Sequence, residues 1–370
     1  MDSICAAYSY AYLKNKVDLN NTYYPIRIGN LNEATRAQFD RLGVTPPPFM
    51  RDIRTKVQSV TRTSDFTVEV TDPIFSLVSF YVSERLTAVV PVMEQGQFRA
   101  LLSIDDVSSF ILQENSTRRP SYGFVLDNIP LVIEGTYLKR GALDTFEAPI
   151  MIGASRFVSY CKQMAALEEK KPVLVVGDRE DQIKYAIEMQ IPLIVLTGIV
   201  DDNITSQVDW DSYEGSVFVS HFDAAETYRL LRLSVPVETL ITAGATHTIE
   251  ADRLFDEARD ILTDKNLRSL AVYDEGRFKG FVTRSSFLNK PKNKLIMVDH
   301  NESEQSIEGI EEAEVVEIID HHRLGAERTR EPIFIYCEPL GSTCTIVYKL
   351  FVQHGVDIPP TLARVMLSGI

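Results

Sequence analysis

Two short clusters of aspartate and histidine are the residues of this chain best suited to chemistry. The first is Asp299-His300 and the second is Asp320-His321-His322, so three of the six histidines fall within 23 positions. Carboxylate and imidazole ligands suit Mn²⁺, Fe²⁺, Co²⁺ or Zn²⁺, and neither cluster contains the thiolates of a structural zinc site. Histidines that only satisfy loop hydrogen bonds are the alternative. Two such clusters together favour a metal site.

Each cluster follows a short apolar run that predicts a buried strand. These runs are 295–298 and 315–319, and a third run at 333–336 precedes a helical pattern at 342–353. Strands that alternate with helices indicate a parallel, doubly wound α/β sheet, in which ligands bind beyond the carboxyl ends of the strands. We therefore expect both clusters to meet at one edge. Several carboxylates at such a place commonly hold two metal ions that act on a phosphoryl substrate.

The chain begins with a helical pattern. Asp2 or Ser3 is predicted to cap this helix. Five residues with i, i+3, i+4, i+7, i+8 spacing predict its apolar face, namely Ile4, Ala7, Tyr8, Ala11 and Tyr12. A short extended run at 24–28 and a helix at 32–42 follow, and the prolines at 46–48 predict a boundary.

An internal repeat joins two segments that lie 180 residues apart. Residues 96–103 and 276–283 match in character at each position, from a glycine through Phe98 or Phe278 to a final Ser or Thr. Each copy is predicted to follow a helix and a strand, the first strand being 87–93, and to precede another helix. Chance similarity between two β-hairpins is the alternative. Between the copies, apolar runs around a helical pattern at 179–189 predict a βαβ unit with a buried parallel sheet.

The composition limits the classes of protein that this chain could belong to. Its 370 residues favour two or three domains, and 45% hydrophobic residues suffice for their cores. A net charge of −14 argues against a general nucleic-acid binder. No apolar run is long enough for a membrane helix. Four cysteines without a Cys-x-x-Cys pair are typical of the reducing cytoplasm, where we expect the protein.

The motifs resemble those of the DHH phosphoesterase superfamily, in its manganese-dependent family II inorganic pyrophosphatase branch. The resemblance rests on Asp299-His300-Asn301-Glu302, on Asp320-His321-His322 and on the run Glu-Pro-Leu-Gly-Ser-Thr-Cys-Thr at 338–345. Residues 2–7 resemble the end of the family's first motif, and 366–370 resemble the approach to its fourth. The repeat resembles a pair of cystathionine-β-synthase-type (CBS) motifs. The segment between the copies resembles a DRTGG domain, of which Thr197-Gly198 is the visible trace.

The resemblance implies an α/β fold in which a doubly wound parallel-sheet DHH domain is interrupted by a regulatory insert of two CBS motifs and a DRTGG-like α/β domain. It also implies that the two ends of the chain form one domain and that the two CBS copies pair. The implied segments are the first DHH part (1–58), CBS motif 1 (59–118), the DRTGG-like domain (119–240), CBS motif 2 (241–292) and the second DHH part (293–370).

The resemblance further implies hydrolysis of inorganic pyrophosphate to two phosphates, with Mn²⁺ as the cofactor and Co²⁺ as a possible substitute. Asp2 would bind one metal ion, Asp299 would bridge two, and His321 would be a ligand. His322 would face the substrate phosphate, and Asp320 would orient the histidine pair. The helix that opens at 341–343 would offer amide groups to an anion. His300 and Asn301 belong to the motif without an assigned role.

The CBS pair implies binding of adenine nucleotides, with AMP, ADP, ATP and diadenosine polyphosphates as candidates, and a homodimer. Ser103 and Asp106 in the first copy, and Thr283 and Arg284 in the second, are the predicted contacts to ribose and phosphate. Serine replaces the acid of the motif in the second copy, and Arg284 could compensate by contacting phosphate. Simple helix caps at Ser103 and Thr283 are the alternative.

The resemblance also predicts that both ends of the family pattern are missing here, namely part of the first motif, the fourth-motif aspartate and the C-terminal domain that clamps pyrophosphate. Hydrolysis by the 370 residues alone is then expected to be negligible. Two other readings follow: a catalytically incomplete nucleotide-binding module, and another DHH phosphoesterase acting on short oligonucleotides or polyphosphate. The insert's position and the acidic charge favour pyrophosphatase over the latter.

Overall fold

The computed structural model describes residues 1–83, 89–112, 119–167, 170–198, 208–242, 246–325 and 332–370. In chain order, its α-helices are α1 (Asp2–Val17), α2 (Glu33–Leu42), α3 (Ile74–Ser83), α4 (Ile104–Leu112), α5 (Ile129–Val132), α6 (Phe157–Ala165), α7 (Glu180–Glu188), α8 (Ala224–Leu233), α9 (Phe255–Asp264), α10 (Thr343–His354) and α11 (Pro360–Gly369).

In the same order, the strands are β1 (Val68–Glu69), β2 (Val89–Glu94), β3 (Gln97–Ser103), β4 (Ser121–Val125), β5 (Gly135–Lys139), β6 (Thr145–Ile152), β7 (Val173–Val176), β8 (Leu193–Thr197), β9 (Ser216–Ser220), β10 (Thr248–Glu250), β11 (Ser269–Asp274), β12 (Arg277–Thr283), β13 (Lys294–Val298), β14 (Glu314–Asp320) and β15 (Phe334–Cys337).

The contacts divide the chain into two compact units. The first unit contains 1–61, 250–268 and 282–370, and the second contains 62–249 and 269–281. The two ends of the chain therefore fold together, as the resemblance predicted. The limits of these two units are defined by contacts within the fold, whereas the predicted domain limits were defined by motifs. The predicted domain limits therefore stay predictions.

A three-stranded parallel sheet forms the centre of the first unit. Its order is β13-β14-β15, with Val298 opposite Ile319 and Asp320 opposite Cys337. The predicted strands and their parallel arrangement are confirmed. Helices α1, α10 and α11 pack together against the sheet around buried Leu13, Ile346 and Val365. A second core surrounds Met297 of β13 and Ile318 of β14. Loop and 3₁₀ segments contribute Ile53, Ile307 and Ile310 to it.

The buried face of α1 is rotated by part of a helical turn from the apolar face that the sequence predicted. The buried face contains Cys5, Ala6, Tyr10 and Leu13. Of the predicted face only Ala11 is buried, and Ile4, Ala7, Tyr8 and Tyr12 are partly buried. Two helices, α10 and α11, both pack on α1, so the buried stripe is set by the groove between them. Small side chains such as Cys5 and Ala6 fit this close approach better than the aromatic rings do.

The predicted extended run at 24–28 does not join a sheet. It makes one isolated bridge, in which Arg27 pairs with Phe49. Pro25 has no N–H group to donate to a ladder, which disfavours further strand pairing in this segment. The following helix α2 agrees with the prediction, because the Asn32 side chain caps it by accepting from the amide of Thr35, and Gly43 ends it with φ of +64°.

The two repeat copies meet through their hairpin strands in the second unit. In the first copy, β1 runs parallel to β2 and β2 runs antiparallel to β3. The strand order β10-β11-β12 of the second copy is the same. The ring of Phe98 stacks on Phe278 with centroids 3.9 Å apart, which confirms that the copies pair. The start of the predicted strand 87–93 lies outside the described residues.

The α-helix predicted after the second copy is a single 3₁₀ turn, Arg284–Phe287. The first copy continues into α4 as predicted. Pro291 follows the second copy closely, and proline removes an amide donor and disfavours helical geometry at the residue before it. The chain instead extends directly into β13 at Lys294.

A six-stranded sheet occupies the middle of the second unit in the order β4-β6-β7-β8-β9-β5. Strands β6 to β9 are parallel, and the edge strands β4 and β5 are antiparallel to their neighbours. All residues of β7 and β8 are buried, with α7 connecting them, so the predicted βαβ unit is confirmed. Within the described ranges, no helix is both long and apolar enough to cross a bilayer.

Candidate metal centre

The predicted metal ligands lie together in the first unit. Asp299 follows β13, Asp320 ends β14, and the two histidines come directly after it. Parallel strands bring these carboxyl ends to one edge, as the sequence predicted. Asp2, the first residue of α1, reaches the same edge. Asp299 adopts φ of +67°, a left-handed conformation that aspartate tolerates better than most residues and that is often found at functional sites.

The hydrogen bond of His321 fixes which of its nitrogens faces the two carboxylates. Its Nδ1 lies 2.8 Å from the carbonyl oxygen of Leu340, which can only accept, so Nδ1 carries the proton. Nε2 lies 3.4 Å from Oδ1 of Asp299 and 3.8 Å from Oδ2 of Asp2. In the neutral ring, the Nε2 lone pair thus meets two anionic oxygens. A divalent cation between these three atoms would relieve their repulsion, and the N–H to carbonyl bond is typical of metal-binding histidines.

His322 extends the same group of donors. One ligand atom from each of Asp299, His321 and His322 lies within 4.8 Å of the others. The two imidazole rings have centroids 4.1 Å apart. Among the described residues, this group contains carboxylate and imidazole donors without a thiolate, a set that fits Mn²⁺ or Co²⁺.

Asp320 is fully buried and accepts hydrogen bonds from both histidines. Its Oδ1 accepts the His321 amide at 2.8 Å, the His322 amide at 3.3 Å and His322 Nδ1 at 2.8 Å, while Oδ2 accepts from Asn301. Burial alone would raise the pKa of Asp320, but the hydrogen bonds from His322, Asn301 and the two amides outweigh it and lower that pKa. The hydrogen bond between the side chains of Asp320 and His322 raises the pKa of His322 above its ordinary value. Asp320 thus contacts the ring of His322 and only the backbone amide of His321, and its role in orienting the pair stays a prediction.

The structure shows the hydrogen bonds of His300 and Asn301, the two motif residues to which the sequence assigned no role. Buried Asn301 donates to Asp320 and to the carbonyl of Arg323 at 3.0 Å, and its Oδ1 accepts the amide of Gly325 at 2.6 Å. Both ring nitrogens of His300 are hydrogen-bonded, Nδ1 to the carbonyl of Val298 at 3.0 Å and Nε2 to the hydroxyl of Ser306 at 3.1 Å. Asparagine in the loop that follows a strand is a common signal for such bonds, and it could have been used.

The first turn of α10 holds the Asp2 carboxylate. Oδ1 of Asp2 accepts from the Ser342 hydroxyl at 2.8 Å and the Cys344 amide at 3.1 Å, and Oδ2 accepts from the Thr343 amide at 2.9 Å. The helix N-terminus predicted to attract an anion therefore binds a carboxylate of the chain itself. The hydroxyl of Thr343 donates to Oδ1 of Asp299 at 2.7 Å. Sequence reasoning did not assign these contacts.

Close packing of α11 supports this arrangement. A Cβ at Gly369 would lie 2.5 Å from Sγ of Cys344 and 3.0 Å from Cβ of Cys5. Burial raises the pKa of Cys5 to about 11 and that of Cys344 further, so both thiols stay neutral. They act as small packing residues at the point where three helices meet beside Asp2.

A model of the DHH family, described as its N-terminal domain, matches residues 1–370. The chain belongs to the DHH family. A protein of Thermotoga maritima described as a probable manganese-dependent inorganic pyrophosphatase is 30% identical to this DHH chain over 380 positions, covering 100% of the chain and 67% of the relative. The cobalt-dependent inorganic pyrophosphatase of Clostridium perfringens is 28% identical over 394 positions, covering 100% and 66%. The DHH chain thus spans about two thirds of the length of these relatives.

A solved structure resembles the inserted part of the DHH chain. It contains the CBS and DRTGG domains from the regulatory region of Clostridium perfringens pyrophosphatase, in complex with the activator diadenosine tetraphosphate. The TM-score is 0.50 at 15% identity, and the match covers 62% of the DHH chain and 100% of the other. At this identity the likeness concerns the fold, and it confirms the CBS and DRTGG architecture.

The four residues of the DHH chain that are predicted to contact nucleotide all form hydrogen bonds with other residues of the same unit. In the second unit, the amide and hydroxyl of Ser103 donate to Asp106 at 2.7 and 2.8 Å, at the start of α4. In the first unit, Thr283 caps the 3₁₀ turn, and Arg284 donates to the carbonyl of Leu267 at 2.9 Å and to Asn266 at 2.5 Å. The cap at Thr283 agrees with the capping alternative for that residue, and contact with nucleotide stays a prediction for all four.

Proposed function

We propose that this protein hydrolyses inorganic pyrophosphate to two phosphates with Mn²⁺, which Co²⁺ can replace. The observation that carries the proposal is the Nε2 atom of His321, which faces the carboxylates of Asp299 and Asp2 while its Nδ1 is held by Leu340. The names of the full-length relatives supply the reaction and the metals.

Asp2, Asp299 and His321 would hold the metal, with Asp299 shared between two ions in the arrangement that the family resemblance implies. When bound, the ions would polarise the phosphoryl oxygens and lower the pKa of a water molecule. Asp299 suits the shared position because its side chain is 9% exposed and lies nearest to His321. Its two oxygens offer about four lone pairs, so the bond from Thr343 leaves capacity for metal.

His322 would contact the substrate phosphate. Its Nδ1 donates to Asp320, so a proton on Nε2 makes the ring cationic. Asp320 favours that cation, since it raises the pKa of His322. The side chain of His322 is 55% exposed, whereas Asp320 is fully buried, so the histidine can reach a ligand that its partner cannot. A cationic imidazole at this edge would donate a charge-assisted hydrogen bond to a phosphate oxygen.

The insert would bind adenine nucleotides and regulate this reaction. Stacking of Phe98 on Phe278 pairs the two CBS hairpins, and the inserted part shares its fold with a regulatory region that binds diadenosine tetraphosphate. AMP, ADP and ATP are further candidates. The homodimer and the cytoplasmic location stay predictions.

Metal binding is the first test. We would titrate the 370-residue chain with Mn²⁺ and follow the free ion by electron paramagnetic resonance. His321→Ala should abolish saturable binding, because it removes the only imidazole that faces both carboxylates in the described part of the chain. His354→Ala is the matched control, since His354 is an exposed residue of the same unit. Binding that survives His321→Ala unchanged would refute the proposed centre.

Substrate choice is the second test. Imidodiphosphate, which resembles pyrophosphate but resists hydrolysis, should raise the melting temperature of the Mn²⁺-loaded chain. A dinucleotide that stabilises it more would favour another DHH phosphoesterase. Phosphate release from pyrophosphate is measured in parallel. Release that His321→Ala abolishes would support the reaction and correct the sequence-based expectation of negligible turnover, and release that survives the substitution would come from a contaminant.

The nucleotide-binding module is the second candidate function, and the stacked CBS hairpins favour it. AMP, ADP and diadenosine tetraphosphate are each added to the metal-free chain. A ligand at 100 times its dissociation constant should stabilise the fold by about 2.7 kcal/mol. Stabilisation by nucleotide without saturable Mn²⁺ binding would leave the module as the function of this chain.

A further inference from the structure

Thr343 contacts both carboxylates that face His321. Its amide donates to Oδ2 of Asp2 at 2.9 Å and its hydroxyl donates to Oδ1 of Asp299 at 2.7 Å. These two oxygens are the same ones that lie 3.8 and 3.4 Å from Nε2 of His321. We propose that Thr343 is a positioning residue, which sets the spacing of Asp2 and Asp299 and so prepares the metal site. This inference rests on the proposed metal centre.

The surroundings of Thr343 make it a rigid donor. The residue is fully buried at the first position of α10, where Ser342 caps the helix. Its β-branched side chain has few accessible rotamers, so the hydroxyl is held in one direction. Its amide is one of those at a helix N-terminus that have no partner within the helix. Both donors of Thr343 are therefore fixed by the helix and not by the carboxylates that they contact.

Asp299 needs such a donor more than Asp2 does, because Ser342 and Cys344 also donate to the Asp2 carboxylate. Asp2 and Asp299 carry like charges beside a common nitrogen and repel each other when no cation separates them. Asp299 also has a left-handed backbone and lies beyond the end of β13. The hydroxyl of Thr343 is the only side-chain donor that contacts Asp299 among the described hydrogen bonds. Removing it should free the carboxylate to rotate away from Asp2.

Substitutions can separate the two contacts. Thr343→Val keeps the shape and the amide but removes the hydroxyl, so only the bond to Asp299 is lost. Thr343→Ser keeps the hydroxyl and should restore it. Thr345→Val is the matched control, because it makes the same change two positions along α10 at a partly buried residue without a described side-chain bond. Thr343→Ala serves as a second loss variant if the valine variant fails to fold.

Two measurements decide the proposal. In Mn²⁺ titrations, Thr343→Val should weaken binding about tenfold or more, which is the usual effect of losing a residue that orients a metal ligand. Thr343→Ser and Thr345→Val should bind as the wild type does. In crystals of the metal-free proteins, the Asp299 carboxylate should be rotated in Thr343→Val and unchanged in Thr343→Ser.

The outcomes distinguish this inference from the metal centre on which it rests. Unchanged Mn²⁺ affinity in Thr343→Val, or an Asp299 carboxylate that keeps its place there, would overturn the positioning role. Loss of affinity in both the serine and valine variants would show that packing, and not the hydroxyl, is what matters, and would also overturn it. A wild type that binds no Mn²⁺ would refute the proposed centre, while the metal-free crystals would still decide whether Thr343 positions Asp299.

Discussion

The carboxylate of Asp2 accepts the backbone amide of Thr343, 341 positions later in the chain, at 2.9 Å. The first residue of α1 thus accepts hydrogen bonds from the first turn of α10, beside the candidate metal donors. Asp2 serves there as an anion at the N-terminus of α10, where the helix dipole and the unpaired amides favour negative charge. This double role of Asp2 leads to the first prediction.

Asp2→Asn should destabilise the protein as well as weaken metal binding. The substitution removes the charge at the N-terminus of α10 and two acceptor lone pairs, at a cost of about 0.5–2 kcal/mol in the free energy of unfolding. Urea unfolding measures this change, and Mn²⁺ titration measures the affinity. Asp357→Asn, at an exposed residue of the same unit, should alter neither. Full affinity in Asp2→Asn would remove Asp2 from the ligand set.

Gly369→Ala should disturb the metal centre from the side of α11. The added Cβ would meet Cys344 Sγ at 2.5 Å and Cys5 Cβ at 3.0 Å, and such overpacking typically costs 1–3 kcal/mol. We expect a lower melting temperature and weaker Mn²⁺ binding, because α11 must move away from Asp2. Gly341→Ala is the control, since a Cβ there has no neighbour within 4 Å. Equal behaviour of the two variants would mean that the close approach of α11 is unimportant.

The pKa of His322 should be raised in the metal-free protein. Asp320 accepts the Nδ1 proton at 2.8 Å and favours the imidazolium form. The stability that this pair contributes is complete below the unfolded-state pKa of histidine and is lost as the pH rises through the higher folded-state pKa. Nuclear magnetic resonance titration measures the pKa of His322 in the metal-free protein. Asp320→Asn should lower the pKa of His322, and an unchanged value would assign the shift to another cause.

Phe98→Ala should weaken the pairing of the two CBS copies. The stacked rings of Phe98 and Phe278, 3.9 Å apart, should contribute about 0.5–1.5 kcal/mol beyond the burial of their surfaces. A double-mutant cycle with Phe278→Ala isolates this coupling in urea unfolding. The stabilising effect of adenine nucleotides should fall in the same variants. Additive effects of the two substitutions would show that the rings do not support each other.

Much of this protein could be predicted from its sequence, because the relevant signals are local. Apolar runs that end in Asp299 or Asp320 predict strands whose carboxyl ends meet, and parallel pairing then brings the histidines together. The repeat around Phe98 and Phe278 predicts two similar hairpins, and burying their shared face requires that they pair. Residue type, periodicity and repetition therefore predicted the strands, the repeat and the two clusters of aspartate and histidine, whereas the assignment of Asp2 as a ligand came from the family resemblance.

Tertiary structure alone decided how these elements fit. The buried face of α1 depends on the groove between α10 and α11, which no pattern within α1 records. The bond from the Thr343 hydroxyl to Asp299 joins residues 44 positions apart, and the bond from the Thr343 amide to Asp2 joins residues 341 positions apart. Such contacts depend on helix packing at ångström precision. Periodicity identifies the face of an element that is buried but not the atoms that it meets there.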